Sequence, residues 1–434
     1  MNRTWVSGLL LATALLGMVY ALWLLGANHP VNAHMTLAAS ESPQLGPFLD
    51  IWTDGVDNRS PAVAYNSLHD EYLVVWYTEQ DDFTWDIWAR RVGADGSLRS
   101  WFNVESLKGF KLREPAVAYS PTHDEYLIVY TFEYSSSDYD IYGWRINWDS
   151  PGANGKVIVD ADGYKQQHPS VAYNSQTDEY LVVYEDETTA PFLQVVARRV
   201  DASDGTVDSS AVTIATGASQ YRVEPDVAYN PARNNYLVVY SYQNPSIPRC
   251  YIACKTASDD LLSFSPEFQV GADVGCGYDT AVANGPDEYL VVWHTLDQVY
   301  GRRVAYDGMP QGPSGGFPLP TTAPAEFRRE PDVSYGAGFG YLATWDDFDG
   351  STSDERDVYG RYVLPGADQA LGSEFLIDGS PHYQADPGVA CAPSADCLVA
   401  EEHNATAYPG GDREIRGRLV SLWRIYVPLV LRNS

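Results

Sequence analysis

Apolar and polar positions along this chain fall into short runs that repeat. Between Ser60 and Val92 an apolar run at Ala62–Tyr65 leads through a polar turn to a second run, Tyr72–Trp76. An acidic loop then leads to a third run, Ile87–Val92. Short runs rich in Val, Tyr, Trp and Ile, split by Asn, Asp and Ser, predict strands of antiparallel hairpins. After Asp95-Gly96 the stretch Trp101–Val104 predicts a fourth strand, and the unit then starts again.

The first strand recurs as PAVAY, PSVAY, PDVAY, TAVAN, PDVSY and PGVAC, beginning at Pro115, Pro169, Pro225, Thr280, Pro331 and Pro387. The second recurs as EYLIVY, EYLVVY, NYLVVY, EYLVVW, GYLATW and DCLVAE. A lone four-stranded sheet cannot bury both faces, so a repeat of this length predicts a β-propeller. Seven copies predict seven blades in an all-β chain. The last copy lacks a fourth strand, whereas Gly46–Gly55, GPFLDIWTDG, resembles the fourth-strand stretch at Gly372. An N-terminal strand is therefore expected to close the last blade and remove the open seam.

The expected propeller covers residues 46–421, which leaves both ends to explain. Residues 1–33 read as an export signal: Arg3, an apolar run Trp5–Gly26, and a small-x-small site at Val31-Asn32-Ala33. The run is also long enough for an uncleaved N-terminal anchor, since about 20 apolar residues cross a bilayer. Either reading puts the ring in a secreted or cell-surface setting, as a monomer that meets membrane only through that anchor. Residues 34–45 read as a linker and 422–434 as an apolar C-terminal tail.

Five cysteines fit an oxidising compartment. Cys391 and Cys397 replace a facing pair of tyrosines (Tyr65 and Tyr72 in the first copy), which predicts a cross-strand disulfide in the last blade. Cys250, Cys254 and Cys276 leave one odd thiol. A formal charge of −30 excludes nucleic acid as a partner.

In a propeller the residue preceding each first strand lies at one mouth of the central channel. Here that residue is Ser60, Glu114, His168, Glu224, Asp279, Glu330 and Asp386. The loops after the second strands open on the same face and are acidic, with Asp81, Asp82, Glu185, Asp346, Glu401 and Glu402 among them. Three chemistries compete for these acids: local structural pairing, binding of a hard cation such as calcium, and acid/base cleavage of a glycan. Asp347, Asp349 and Asp354 form the closest cation pattern, although they lack the spacing of an EF-hand. Glu114, Glu224 and Glu330 are the candidate catalytic acids. Aromatic residues end most second strands; Trp76 and Trp345 are the candidates for stacking on a sugar beside the acids. Recurring arginines at 90, 198, 302, 361 and 418 are expected to pair with the glutamates that open the second strands, Glu71, Glu125, Glu179 and Glu288.

The copies PxVAYN…EYLVVW…DIYGRRV…DG resemble a repeat of secreted bacterial proteins of unassigned activity, predicted to form propellers. The resemblance implies a fold and brings no catalytic residues. The expected function is an exported, non-catalytic binding module that recognises an extracellular glycan or protein on the acidic face. Its ligand contacts would be Glu114, His168, Glu224, Asp279, Glu330, Asp386, Trp76 and Trp345. The alternative is an extracellular polysaccharide hydrolase or lyase using the mouth carboxylates, with calcium as an optional partner. Close, partly buried carboxylates lining a cleft would favour the enzyme, and a flat face of solvated acids would favour the binder.

Overall fold

Tyr, Val, Ile and Trp at alternate positions make strands that are half or wholly buried. The computed structural model describes residues 43–421 apart from short internal stretches, the longest being 272–277 and 405–411. The expected signal or anchor, most of the linker and the C-terminal tail lie outside the described residues. Among the described residues there are 28 strands and no helix. None is a helix long and apolar enough to cross a membrane.

The strands form five four-stranded sheets and one eight-stranded sheet. The first repeat runs through Asp57–Asn66, Glu71–Asp81, Thr84–Gly93 and Leu98–Glu105, each strand antiparallel to the next. The eight-stranded sheet joins this repeat to the following one through one parallel register pair, Trp85 with Lys111. First strands touch in succession around the molecule, and the last, Gln384–Cys391, returns to Asp57–Asn66. These are the sheets of a β-propeller. Gln44–Trp52 pairs antiparallel with Arg413–Ser421 as the outer strand of the last sheet, as the sequence predicts. The Cys391–Cys397 disulfide joins facing residues in the same sheet.

Between sheets the core is aromatic. Trp76, Tyr130, Tyr184, Tyr240, Trp293 and Trp345 end their second strands fully buried. Trp76 packs with Leu398 and Ile415 of the last sheet, and Trp345 packs with Leu290, Val292 and Phe317 of the sheet before it. Burying a large aromatic ring contributes several kcal/mol of the packing energy. This corrects their expected role: no sugar can stack on Trp76 or Trp345.

The third-strand cations also differ from expectation. Arg90 donates to the Ile51 carbonyl at 2.6 Å, Lys255 to Ile214 at 2.7 Å and Arg302 to Val270 at 2.7 Å. Arg361 and Arg418 donate to the Leu319 and Ile377 carbonyls. Arg198 reaches the Asp160 carboxylate at 3.1 Å. Each therefore fastens its sheet to the outer strand of the preceding one. The glutamates pair instead with other arginines: Arg145 with Glu125 at 3.0 Å, Arg303 with Glu288 at 2.7 Å and Arg199 with Glu179 at 3.6 Å, while Arg99 holds Glu71.

Candidate functional site

The mouth of the channel is built from a backbone device repeated in every first strand. The residue before each proline or threonine lies in the left-handed region, with φ of 49° at Ser60, 54° at Glu114, 51° at His168, 53° at Glu224, 44° at Asp279, 50° at Glu330 and 51° at Asp386. The ladder slips at each of these points, as between Arg59 and Ala62 or Val223 and Asp226. Each is a β-bulge, and a left-handed conformation costs an L-residue about 1–2 kcal/mol. Bulges re-aim side chains. Here they turn seven side chains toward one opening and free seven amide groups from the ladder.

Those amides explain part of the acid excess. His168 N donates to Glu114 Oε2 at 3.2 Å, Asp279 N to Glu224 Oε2 at 2.9 Å and Asp386 N to Glu330 Oε2 at 2.9 Å. Glu224 N donates to Glu185 Oε1 at 2.6 Å, and Ser60 N to Glu402 Oε1 at 3.1 Å. A buried N–H left without an acceptor costs about 1–3 kcal/mol. The carboxylates of one sheet thus satisfy the bulge of another.

A second, more buried ring lies just outside the first. It consists of the residue after each second-strand aromatic, or after Glu401 in the last copy: Tyr77, Thr131, Glu185, Ser241, His294, Asp346 and Glu402. The acids among these were expected on solvated loops, yet Glu185, Asp346 and Glu402 are strand residues with 1–3% exposure. Asp81 and Asp82 do remain exposed. Thr131 Oγ1 donates to Glu114 at 2.9 Å, and His294 Nε2 lies 3.0 Å from Asp279 Oδ2. Neither Thr131 nor His294 was singled out from sequence. Their signal is positional: the register, not the residue type, recurs.

Charge divides the mouth. Burial works to raise the Glu114 carboxyl, but His168 and Arg113 together with its hydrogen bonds hold it below the usual range. Burial works to lower His168, and Glu114, Glu185 and Glu224 raise it to about 9. Across the opening the acids face acids. Burial and then Asp346 and Asp386 push Glu330 well up; burial and then Glu402 push Asp386 up to about 8. Glu224 sits between the halves, pushed up to about 7 by burial and by Asp279.

Ser60, Glu114, His168, Glu224, Asp279 and Asp386 line an open pocket of about 270 Å³. A second cavity of about 450 Å³ continues along the first strands and is lined by Asp279, Glu330 and Asp386 as well as by Asp226 and Asp332. The pre-proline residues expected at the mouth are therefore brought together. Glu114 is the exception in chemistry: its hydrogen bonds and neighbouring cations favour its ionised form, whereas Glu224 and Glu330 are shifted toward the protonated one.

Of the expected cation pattern only Asp347 is among the described residues. Asp347 is ion-paired with buried Arg328 at 2.8 Å, and Asp349 and Asp354 lie outside the described residues. Among the described residues no group of three His, Cys, Asp or Glu could hold a metal ion. Cys250 is disulfide-bonded and Cys254 is a buried free thiol; Cys276 lies outside the described residues.

No family model matches the chain, and no curated protein does, so the expected repeat family gains no support from sequence comparison. Several solved structures are similar in shape. An α-L-arabinanase of Penicillium chrysogenum complexed with arabinobiose is 12% identical over 87% of this chain and 99% of its own, with a TM-score of 0.49. An α-L-arabinofuranosidase of Fusarium graminearum in complex with an iminosugar inhibitor is 13% identical over 88% and 99%, also at 0.49. The β-propeller domain of the Trilobed protease from Pyrococcus furiosus is 10% identical over 86% and 100%, at 0.48. The expectation of a non-catalytic binding module is corrected at this point. The mouth is not a flat face of solvated acids but a cavity lined by half-buried, protonatable ones, the arrangement expected of the polysaccharide-cleaving alternative.

Proposed function

We propose that this chain is a seven-bladed propeller that hydrolyses a polysaccharide at its acidic mouth, with Glu224 as the general acid and Asp279 as the second carboxylate. The blade count takes the eight-stranded sheet as two blades touching at a single residue pair. The ring would occupy residues 46–421 and be exported by the segment 1–33, so that its glycan is met outside the cytoplasm.

One observation carries the reading: a carboxyl poised near neutral pH stands beside a carboxylate, and both line an open pocket. Glycosidic cleavage needs one carboxyl that still holds its proton and another that does not, flanking the bond. Glu224, raised to about 7, is half protonated where the reaction would run, which is the optimum for a general acid. The pair is linked through backbone, because Asp279 N donates to Glu224 Oε2 and Thr280 Oγ1 to the Glu224 carbonyl at 2.9 Å. In the proposed step Glu224 passes its proton to the glycosidic oxygen as the C–O bond breaks. Positive charge then develops on the sugar ring, and Asp279 faces it. A water adds to the anomeric carbon and its released proton goes to one of the two carboxylates, so the pair ends with the one proton it began with.

The test incubates the full chain with polysaccharides labelled at the reducing end and follows chain length by size exclusion. Short products that vanish with Glu224→Gln and Asp279→Asn, each by about 10²–10⁴-fold in kcat, are expected. Glycans that co-elute intact with the protein, or products unaffected by both changes, would overturn the assignment.

A further inference from the structure

We propose that His294 is a positioning residue that holds Asp279 as an oriented carboxylate beside Glu224, and so decides which of the two carboxyls gives the proton. This rests on the reading of the mouth as a glycan-cleaving site.

His294 is 6% exposed and follows Trp293, whose ring is locked in the core. Its Nδ1 lies 2.8 Å from the Thr295 carbonyl. A carbonyl only accepts, so Nδ1 carries a hydrogen. That carbonyl belongs to a closed turn, since Thr295 N donates to Gln298 O at 2.7 Å. With Nδ1 occupied, Nε2 is the nitrogen left to meet Asp279, whose Oδ2 lies 3.0 Å away but off the line of a hydrogen bond. A lone pair there would lie beside the oxygens of a carboxylate, whereas a second proton makes an imidazolium at ion-pair distance from Asp279.

The surroundings favour the imidazolium. Acids face His294: Asp279 and Glu224 from the first ring, and Asp346 from the neighbouring second strand, which Arg356 at 2.8 Å and Arg329 also meet. Asp279 and Glu224 raise His294 against the effect of burial. Of the seven second-ring positions, those at 77, 131, 185, 241, 346 and 402 carry Tyr, Thr, Glu, Ser, Asp and Glu. His294 is the second-ring member that can become a cation. It stands behind Asp279 and not behind Glu330 or Asp386, where acids meet acids instead. The pair at Glu224 and Asp279 is thereby made unequal: the imidazolium stands beside Asp279 alone, and Asp279 in turn favours the proton on Glu224.

Two readouts test this. In the full chain labelled with ring-¹³C histidine, the His294 signal is the one lost in His294→Gln. Its titration midpoint is expected above that of an ordinary histidine in the native protein and lower in Asp279→Asn. On a cleaved glycan, His294→Gln is expected to lower kcat at least tenfold with KM changed less than threefold. It should also move the acid limb of the pH–rate profile upward, because Asp279 loses the imidazolium that lies 3.0 Å from it. A midpoint unchanged in Asp279→Asn, or an acid limb unmoved in His294→Gln, overturns the proposal. If the native chain cleaves no glycan, the functional reading fails, and the titration still decides whether His294 and Asp279 form a charge pair. His294→Asn serves as the second variant should the glutamine one not fold.

Discussion

The two halves of the mouth share one backbone device and differ in what their side chains meet. At Glu114 the bulge of the next strand presents a histidine, so the carboxylate finds a cation and stays ionised. At Glu330 the next bulge presents Asp386, so two carboxyls meet and protons are retained. The comparison teaches that geometry alone does not set the chemistry of a repeated site. A single residue type at the following bulge converts a structural clasp into a proton reservoir.

The sharpest way to break the comparison is turnover. Glu224→Gln removes a proton donor and is expected to lower kcat about 10²–10⁴-fold, whereas Glu114→Gln removes an ionised clasp and should cost less than tenfold. Equal losses, measured on the same labelled glycan, would erase the distinction between the halves.

Stability offers the next test. His168→Gln leaves Glu114 and Glu185 without the cation between them. The side chains of His168 and Glu114 are partly exposed, 38% and 23%, so screening reduces the effect to about 1 kcal/mol. Urea unfolding at pH 7 would show it as a lower midpoint with an unchanged slope. An unchanged midpoint would mean that the pairing is incidental.

The smallest effect is a pH dependence of opposite sign at Glu114 and Asp386. Asp386 titrates near 8 in the folded chain and near 3.8 unfolded, so its contribution is complete below about 4 and declines as pH rises through 8. Glu114 is lowered, so its contribution is present above the ordinary glutamate range and declines as pH falls. His168, raised to about 9, contributes below 6.5 and loses that contribution as pH rises through 9. Thermal melts should therefore give a lower Tm at pH 9 than at pH 6, and Asp386→Asn should shrink the difference. A Tm difference as large in Asp386→Asn as in the native chain would count against the acid–acid contact.

Much of this was legible in the chain itself. The alternation around Tyr72–Trp76 and its copies located the strands, and the pre-proline position located the mouth, because a recurring register survives changes of residue type. What stayed hidden depends on side-chain direction. Arg198 and Arg199 are adjacent, as are Arg302 and Arg303, and consecutive strand residues face opposite sides; choosing the wrong one of each pair assigned Glu179 and Glu288 to the wrong arginines, while Glu71 is held from the fourth strand by Arg99. His294 was invisible for a related reason. Its ring position holds Tyr, Thr, Glu, Ser, Asp or Glu in the other copies, so no motif marks it. Trp76 and Trp345 could not be separated from surface rings until their neighbours in the adjoining sheets were known.

The strand Gln44–Trp52 also sets an order of events during synthesis. Arg418 donates to the carbonyl of Gly46, 372 residues earlier in the chain. Closing a flexible loop of that length costs on the order of 5 kcal/mol, against about 2–3 kcal/mol for a hairpin of ten to twenty residues. The hairpins can therefore form as they emerge, while the earliest strand waits with an unpaired edge until the last one has been made. Ring closure becomes the late, slow step of folding. Until then the chain carries two open strand edges, one at each side of the seam, each able to capture its counterpart on another molecule.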